Sequence, residues 1–109
     1  MNDDAPGPEG MRAAAAAGRV QWEVHAFERM AERGIPRAEV LDAIINGEAI
    51  ETYARDVPFP RYLLLRLGRL PLHTVAAFDA EQRVCHVITA YRPGPENFEA
   101  DLRTRRRRE

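Results

Sequence analysis

One predicted helical face of this chain carries an imidazole and two guanidiniums at a regular spacing. The segment from His25 to Ile35 reads HAFERMAERGI, and at about 100° per residue its apolar residues fall on one side. His25, Arg29 and Arg33 stand four residues apart on the other side, so their side chains form one ridge. Arginine matches phosphate oxygens and histidine transfers protons near neutral pH, so the ridge suits a phosphate-bearing partner. A solvated face with weak ion pairs to the intervening glutamates is the alternative.

Two further residues able to move protons lie in predicted strands. His73 is inside LHTVAAFD, and Tyr91 closes VCHVITAY where a strand meets a loop. Residues directly opposite each other in a hairpin share a face. His73 and Tyr91 therefore share a face if the turn at 79–82 leaves an odd number of loop residues, and not if the number is even. The sequence leaves this parity open, and packing roles are the alternative for both. We expect His86 on the face opposite Tyr91, as a structural or exposed residue.

A carboxylate and a phenol stand two residues apart in the first predicted strand. Glu51 and Tyr53 share a face by strand alternation, and Asp56 follows shortly after. These groups either belong to a functional site or simply lie at the edge of the sheet.

Hydrophobic periodicity predicts two helices. The first covers about residues 22–33, and Gly34 is placed to end it in a left-handed conformation with Ile35 packing beyond. Pro36 opens the second helix, which Gly47 ends.

The pattern then changes to strands, which we predict at Ala49–Ala54, Arg61–Leu67, Leu72–Phe78 and Arg83–Tyr91. A short C-terminal helix is expected from near Pro95, anchored by Phe98 and Leu102. The predicted fold class is α+β, with two N-terminal helices packed on a four-stranded, mainly antiparallel sheet.

Size and composition indicate a folded protein. The chain has 109 residues, of which 45% are hydrophobic and 30% charged. We expect residues 1–18 to be a flexible tail or a loosely helical leader, with Met11 as an alternative start, and residues 19–109 to form a single domain. No signal peptide or membrane segment is visible, so we expect a cytoplasmic protein. Cys85 stands alone, and no phosphate loop, nucleophile elbow or HExxH motif is present, so we expect no cofactor and no metal.

Charge is uneven along the chain. The formal net charge is −1, but residues 1–60 carry 6 Arg against 11 acids, while residues 61–109 carry 10 Arg against 6. Five of these Arg lie between Arg103 and Arg108. Such a block is typically a solvated tail, and less often contacts phosphate or an acidic partner.

Four segments together resemble a known family. HAFERMAERGI, GEAIETYARDVPFP, PLHTVAAFD and VITAYRPGPENF, within about Val24–Arg106, resemble the prokaryotic domain of unknown function 4258. Phe98 stands where relatives often have Trp. The recurrent positions of that family fall here on His25, Arg29, Arg33, Glu51, Tyr53, Asp56, His73, Tyr91 and Pro93.

The resemblance implies a small toxin of the RelE-like and barnase-like ribonuclease superfamily, encoded beside an antitoxin that is often a zinc-finger protein. It implies metal-independent cleavage of messenger RNA, in which the 2′-hydroxyl attacks the phosphate. A base, an acid and a cation are then required.

The expected catalytic residues are His25, Arg29, His73 and Tyr91. Residues expected to bind substrate are Arg33, Arg92, Glu51 and Tyr53. The alternatives are a non-catalytic RNA- or protein-binding module and a degenerate, inactive toxin. A binding module would engage His25 and Arg29 with Glu28 or Glu32 on an open convex surface.

Overall fold

A computed structural model describes residues 7–107, which form three helices and five strands. The helices are α1 (Glu9–Ala16), α2 (Val24–Arg33) and α3 (Arg37–Asn46). The strands are β1 (Val20–Trp22), β2 (Glu48–Tyr53), β3 (Arg61–Arg66), β4 (Leu72–Asp79) and β5 (Val84–Tyr91). The predicted α+β class is confirmed.

The strands form one mixed sheet in the order β1-β5-β4-β3-β2. Strands β2 to β5 form an antiparallel meander, as predicted, while β1 adds in parallel to β5 at the edge. The predicted count of four strands is therefore one too low. Three residues, Val20–Trp22, are too few for hydrophobic alternation to reveal a strand.

The turn between α2 and α3 follows the expected chemistry. Gly34 has φ of 67°, a left-handed conformation that glycine adopts without steric cost. The amide of Ile35 donates to the carbonyl of Met30 at 2.9 Å, and the Ile35 side chain is buried. This cap ends α2 and directs the chain into α3 through Pro36.

The N-terminal helix belongs to the folded core. Met11, Ala14 and Ala15 of α1 are buried, and the Arg12 guanidinium donates to the carbonyls of Ile44 and Ile45 at 3.0 and 2.9 Å. The last turn of α3 thereby gains partners for carbonyls that a helix end leaves free. The expected flexible leader is thus corrected for residues 9–16. Residues 1–6 lie outside the described residues.

All three helices pack on one face of the sheet, the helix face. Their buried residues include Met11, Ala26, Met30, Val40 and Ile44, which belong to one core cluster with sheet residues. The sheet contributes Tyr62, Leu64, Leu72, Ala76, Cys85, Val87 and Ala90. Burial of these apolar groups is the main stabilising contribution to the domain.

The opposite face of the sheet, here called the far face, is covered by the C-terminal segment. Residues 94–106, the C-terminal cover, place the Phe98 ring on the far face with 1% of its surface exposed. A β-bridge joins Phe98 to Arg105, and no helix follows β5 within the described residues. The expected short C-terminal helix is therefore wrong, although Phe98 does act as the apolar anchor.

A local turn explains why the cover is not helical. The Asp101 carboxylate accepts hydrogen bonds from the amides of Arg103 and Thr104, both at 2.9 Å, and from the Thr104 hydroxyl at 2.8 Å. Aspartate that binds nearby amides in this way favours a turn over a helix. The turn sends the chain back over the sheet, where Arg103, Arg105 and Arg106 pair with Glu48, Glu51 and Glu99. These arginines remain partly exposed, as expected of a solvated basic block, but they contact acidic side chains of the same chain.

Candidate active site

His73 of β4 lies at the centre of the far face and is fully buried, with 0% exposure. Its Nε2 lies 2.8 Å from the carbonyl oxygen of Leu102 in the cover, and its Nδ1 lies 3.2 Å from the Tyr91 hydroxyl. A carbonyl only accepts, so Nε2 carries the proton and donates to it. Nδ1 of the neutral ring therefore accepts from the Tyr91 hydroxyl.

A β-bulge brings Tyr91 onto this face. The loop between Asp79 and Val84 has four residues, an even number. With regular pairing, such a loop would place the Tyr91 side chain on the other face of the sheet from His73. Strand β5, however, pairs Thr89 with Val75 and Val87 with Ala76, so Ile88 is an extra residue. The bulge reverses the alternation, and His73 and Tyr91 become direct cross-strand partners.

Glu51, Tyr53 and Arg105 form a second group at the rim of the far face. The Arg105 guanidinium donates to the Glu51 carboxylate from Nε at 2.8 Å and from Nη2 at 3.0 Å. The Tyr53 hydroxyl donates to the same carboxylate. The predicted shared face of Glu51 and Tyr53 is confirmed, and one carboxylate joins a phenol to a cation. We call these three residues the rim triad.

The pKa values of the rim triad fit this arrangement. Burial raises the pKa of Glu51, but hydrogen bonds from Arg105 and Tyr53 outweigh it, so the pKa lies below its usual value. Burial and the bond to Glu51 raise the pKa of Tyr53. The hydrogen bond to Glu51 likewise raises the pKa of Arg105. At neutral pH the group therefore consists of a carboxylate, a neutral phenol and a guanidinium.

The two interior groups are held neutral by burial. Burial lowers the pKa of His73 and raises that of Tyr91, in each case as the largest contribution. The charges of Glu51 and Arg105 act on both residues, in opposite directions. The interior residues His73 and Tyr91 are therefore close enough to the Glu51–Arg105 ion pair to interact with it electrostatically, and the four residues form one site.

The rim triad is accessible to solvent, whereas His73 is not. The side chain of Arg105 is 53% exposed and that of Glu51 is 20% exposed, while Tyr53 is exposed at the sheet edge. His73 is sealed by Phe98, whose ring centroid lies 4.5 Å from the imidazole, and by the Leu102 carbonyl. The rim triad is therefore open to solvent, whereas the His73 imidazole, within residues 7–107, contacts only buried groups and the Tyr91 hydroxyl.

The helix ridge lies elsewhere. His25 pairs with Glu28 at 3.5 Å and has an 88% exposed side chain, and Arg29 pairs with Glu32 at 3.4 Å. These residues belong to α2, on the helix face, whereas Tyr91 points to the far face. The expectation that His25 and Arg29 line one concavity with Tyr91 is wrong, because α2 and the C-terminal cover occupy opposite faces of β5.

Arg33 and Arg92 also lie away from the rim triad. Arg33 donates to the Ala90 carbonyl at 2.8 Å. Arg92 binds the Glu39 carboxylate of α3 and donates to the carbonyls of Leu70 and Pro71, both at 3.3 Å. Both arginines therefore connect structural elements of the domain.

His86 and Asp56 lie near the far end of the same sheet face. The bulge places His86 on the face of Tyr91, so the expected opposite placement is wrong. Its ring stacks on Phe59 with centroids 5.2 Å apart, and Nδ1 lies 3.6 Å from Glu23. Asp56 lies 3.9 Å from Nε of Arg61. Sequence reasoning placed Arg105 only in a basic tail and missed it as a site residue, because no local pattern connects it with Glu51.

Comparison with known proteins identifies the family. The family described as Domain of unknown function (DUF4258) matches residues 22–92, more than half of the chain. The chain belongs to the DUF4258 family. Four of the five site residues of this DUF4258 chain lie inside the matched region, and Arg105 lies outside it. Neither curated proteins nor solved structures gave a significant match.

Two general features of this DUF4258 chain follow from residues 7–107. None of the helices there has the length and apolar character needed to cross a bilayer. Nor do three or more His, Cys, Asp or Glu side chains cluster there in a way that would hold a metal ion.

Proposed function

We propose that this protein is a metal-independent endoribonuclease whose active site is the rim triad. The observation that carries the proposal is the Glu51 carboxylate, which binds the Arg105 guanidinium and the Tyr53 hydroxyl at once. A base, a protonated acid and a phosphate-binding cation thus stand together on the accessible edge of a sheet. These are the three groups that cleavage by a neighbouring 2′-hydroxyl requires.

The step balances with these groups alone. Glu51 takes the proton from the ribose 2′-hydroxyl, whose oxygen then forms a bond to the adjacent phosphorus. Arg105 stabilises the negative charge on the pentavalent phosphate. The bond from phosphorus to the 5′-oxygen breaks, and Tyr53 gives its proton to that oxygen. Glu51 returns the proton to Tyr53 through their hydrogen bond, leaving a 2′,3′-cyclic phosphate and a 5′-hydroxyl.

His73 and Tyr91 support the triad from below. Tyr91 donates to Nδ1 of a buried, neutral imidazole, which fixes the phenol beside Glu51 and Arg105. His73 is thus a positioning residue rather than the catalytic residue expected from the sequence. His25 and Arg29 take no part in this step.

Cleavage of short RNAs tests the proposal. The purified full-length chain is incubated with single-stranded oligonucleotides in EDTA, and products are examined for 2′,3′-cyclic phosphate ends. Glu51→Gln removes the base, and Tyr53→Phe removes the acid. Each is expected to lower the rate by about 10²–10⁴-fold, the usual contribution of a positioned proton-transfer group.

The chain provides a matched control. Arg103 binds Glu48 with the same Nε–Oε distance of 2.8 Å, also between the cover and β2. Glu48→Gln is expected to leave the rate within about twofold. Equal losses in Glu48→Gln and Glu51→Gln, or cleavage that requires an added metal ion, would contradict the proposal.

The biological setting follows from the family resemblance. We propose a cytoplasmic toxin of the RelE-like and barnase-like superfamily that acts on RNA and is silenced by a small neighbour-encoded antitoxin, of acidic or zinc-finger type. Induced expression is expected to arrest growth, and Glu51→Gln to relieve the arrest. Co-purification from the native operon tests the partner, and Arg29→Glu weakens any contact made through the ridge.

A binding module is the second candidate, and one observation favours it. His25 and Arg29 are paired with Glu28 and Glu32 on an exposed helix, the arrangement expected of a non-catalytic surface. RNA binding without cleavage, with the same affinity in Glu51→Gln, supports this candidate. A protein that neither cleaves nor binds RNA is a degenerate toxin.

A further inference from the structure

A small cavity lies beside the rim triad and takes no part in the proposed step. Its volume is about 210 Å³, and its lining includes Glu23, Phe59, Arg61, Ala77, His86 and Ile88. Drug-sized ligands occupy about 300–1,000 Å³, so this cavity suits one planar group. We call it the His86 cavity.

The sheet register places this cavity directly next to the site. Tyr53, Arg61, Ala77 and His86 are successive cross-strand partners in one row across β2, β3, β4 and β5. Neighbouring strands are about 4.8 Å apart, so Arg61 is the immediate neighbour of Tyr53. The His86 cavity, which Arg61 lines, therefore begins one strand away from Tyr53 of the rim triad.

Two aromatic rings line the cavity. The rings of Phe59 and His86 are stacked, with an interplanar angle of 11° and centroids 5.2 Å apart. Ala77 and Ile88 add apolar surface, and Ile88 is available because it is the bulged residue. Nucleobases bind proteins by lying against such flat surfaces.

The polar lining of the cavity offers both acceptors and donors. The Glu23 carboxylate has two acceptor oxygens, and the Arg61 guanidinium has several N–H donors, of which the buried Nε makes no hydrogen bond within the described residues. Guanine presents two adjacent donors on one edge and two adjacent acceptors, O6 and N7, which arginine recognises. The other bases lack this combination.

We infer that the His86 cavity binds the guanine base of the nucleotide next to the scissile phosphate. Glu23 accepts from the guanine N1–H and amino group, Arg61 donates to its acceptor edge, and Phe59 with His86 supports its ring. The inference rests on the proposed function for the place of the phosphate, but base binding itself does not require cleavage.

Nucleotide binding in EDTA tests the inference. Guanosine 5′-monophosphate is titrated into the full chain and compared with the adenosine, cytidine and uridine monophosphates, with amide chemical shifts as the readout. We expect guanosine to bind about tenfold tighter than the others, with shifts at His86 and Ile88. Equal binding of all four nucleotides, or shifts confined to other surfaces, overturns the inference.

Two variants and a control assign the contacts. Glu23→Gln and Arg61→Ala are each expected to weaken guanosine binding about tenfold. Glu28→Gln, on the exposed ridge of α2, leaves it unchanged. Because Glu23 is on the surface, Glu23→Gln keeps the test valid if Arg61→Ala fails to fold. Unchanged binding in folded Glu23→Gln contradicts the assignment.

Tetranucleotides with 2′-O-methyl groups, which resist cleavage, separate RNA from free nucleotides. A tetranucleotide with one guanine is expected to bind tighter than one without, and preference for the monophosphate alone overturns the inference. With unmodified RNA, guanine-selective binding without cleavage would refute only the proposed nuclease activity. Cleavage without preference for guanine refutes only this cavity assignment.

Discussion

The guanidinium of Arg105 makes two hydrogen bonds to the carboxylate of Glu51, which lies 54 residues earlier in the chain. This contact fastens the C-terminal cover to the strand that carries the candidate base. Arg105 also places a cation beside this carboxylate, as binding of a phosphate would require. In the proposed mechanism, one ion pair therefore serves both stability and chemistry.

The strength of this pair is measurable in a double-mutant cycle. Glu51→Gln, Arg105→Ala and the double variant are expected to give a coupling energy of about 0.5–1 kcal/mol in urea unfolding, near the upper end for exposed pairs because the contact is bidentate. The Glu48–Arg103 cycle is the control and is expected to give less. A larger coupling there would show that the two-bond geometry is unimportant.

Removal of the Tyr91 hydroxyl is expected to destabilise the protein more than removal of the Tyr53 hydroxyl. Tyr91→Phe leaves Nδ1 of the buried His73 without its donor, which costs about 1–3 kcal/mol. Tyr53→Phe acts at an exposed position and costs less. Urea midpoints of the two variants test the order, and equal midpoints would refute the hydrogen bond as assigned.

Stability is expected to fall as the pH drops below about 6.5, the unfolded-state pKa of histidine. Burial lowers the pKa of His73 in the folded protein, so the unfolded chain binds the proton first. The contribution of the neutral ring is complete above pH 6.5 and is lost as the pH falls toward the folded-state pKa. Unfolding free energies from pH 8 to 5 measure the slope.

Two variants test whether His73 causes this dependence of stability on pH. His73→Gln is expected to reduce the change in unfolding free energy over this pH range. His25→Gln, which alters an exposed imidazole, is expected to keep it. If His25→Gln and His73→Gln reduce the slope equally, burial of His73 is not its cause.

Phe98 is expected to hold the C-terminal cover in place. Phe98→Ala removes a buried ring from between His73 and Arg105 and costs about 3–5 kcal/mol if the surroundings do not relax. Phe27→Ala, at a 48% exposed ring on α2, is the control and changes stability far less. Thermal unfolding compares the two, and hydrogen exchange at residues 94–106 shows whether the cover is released.

The sequence predicted the parts of the fold that follow local rules. Four strands of the meander and the glycine cap at Gly34 depend on alternation and on backbone conformation, and both are confirmed. The shared face of Glu51 and Tyr53 follows from the same alternation. Edge strand β1 was missed because a three-residue strand has no period to detect.

The site itself depends on contacts that local rules do not determine. The bulge at Ile88 sets the face of Tyr91, and nothing in VCHVITAY marks which residue is left unpaired. Arg105 reaches Glu51 only because Asp101 turns the chain back. A ridge visible within one helix, such as His25 and Arg29, was therefore easier to predict than a cluster assembled from three separate segments.

The bulge at Ile88 also separates the spacing of residues along β5 from the face on which their side chains lie. His86 and Tyr91 are five residues apart and share the far face, although regular alternation would place such a pair on opposite faces. Deleting Ile88 alone is therefore expected to leave residues 84–87 and 89–91 with their present partners in β4, and every one of these side chains on its present face. A member of this family with one residue fewer between the positions of His86 and Tyr91 is thus expected to keep the same site, and an alignment that places its gap at Ile88 preserves it.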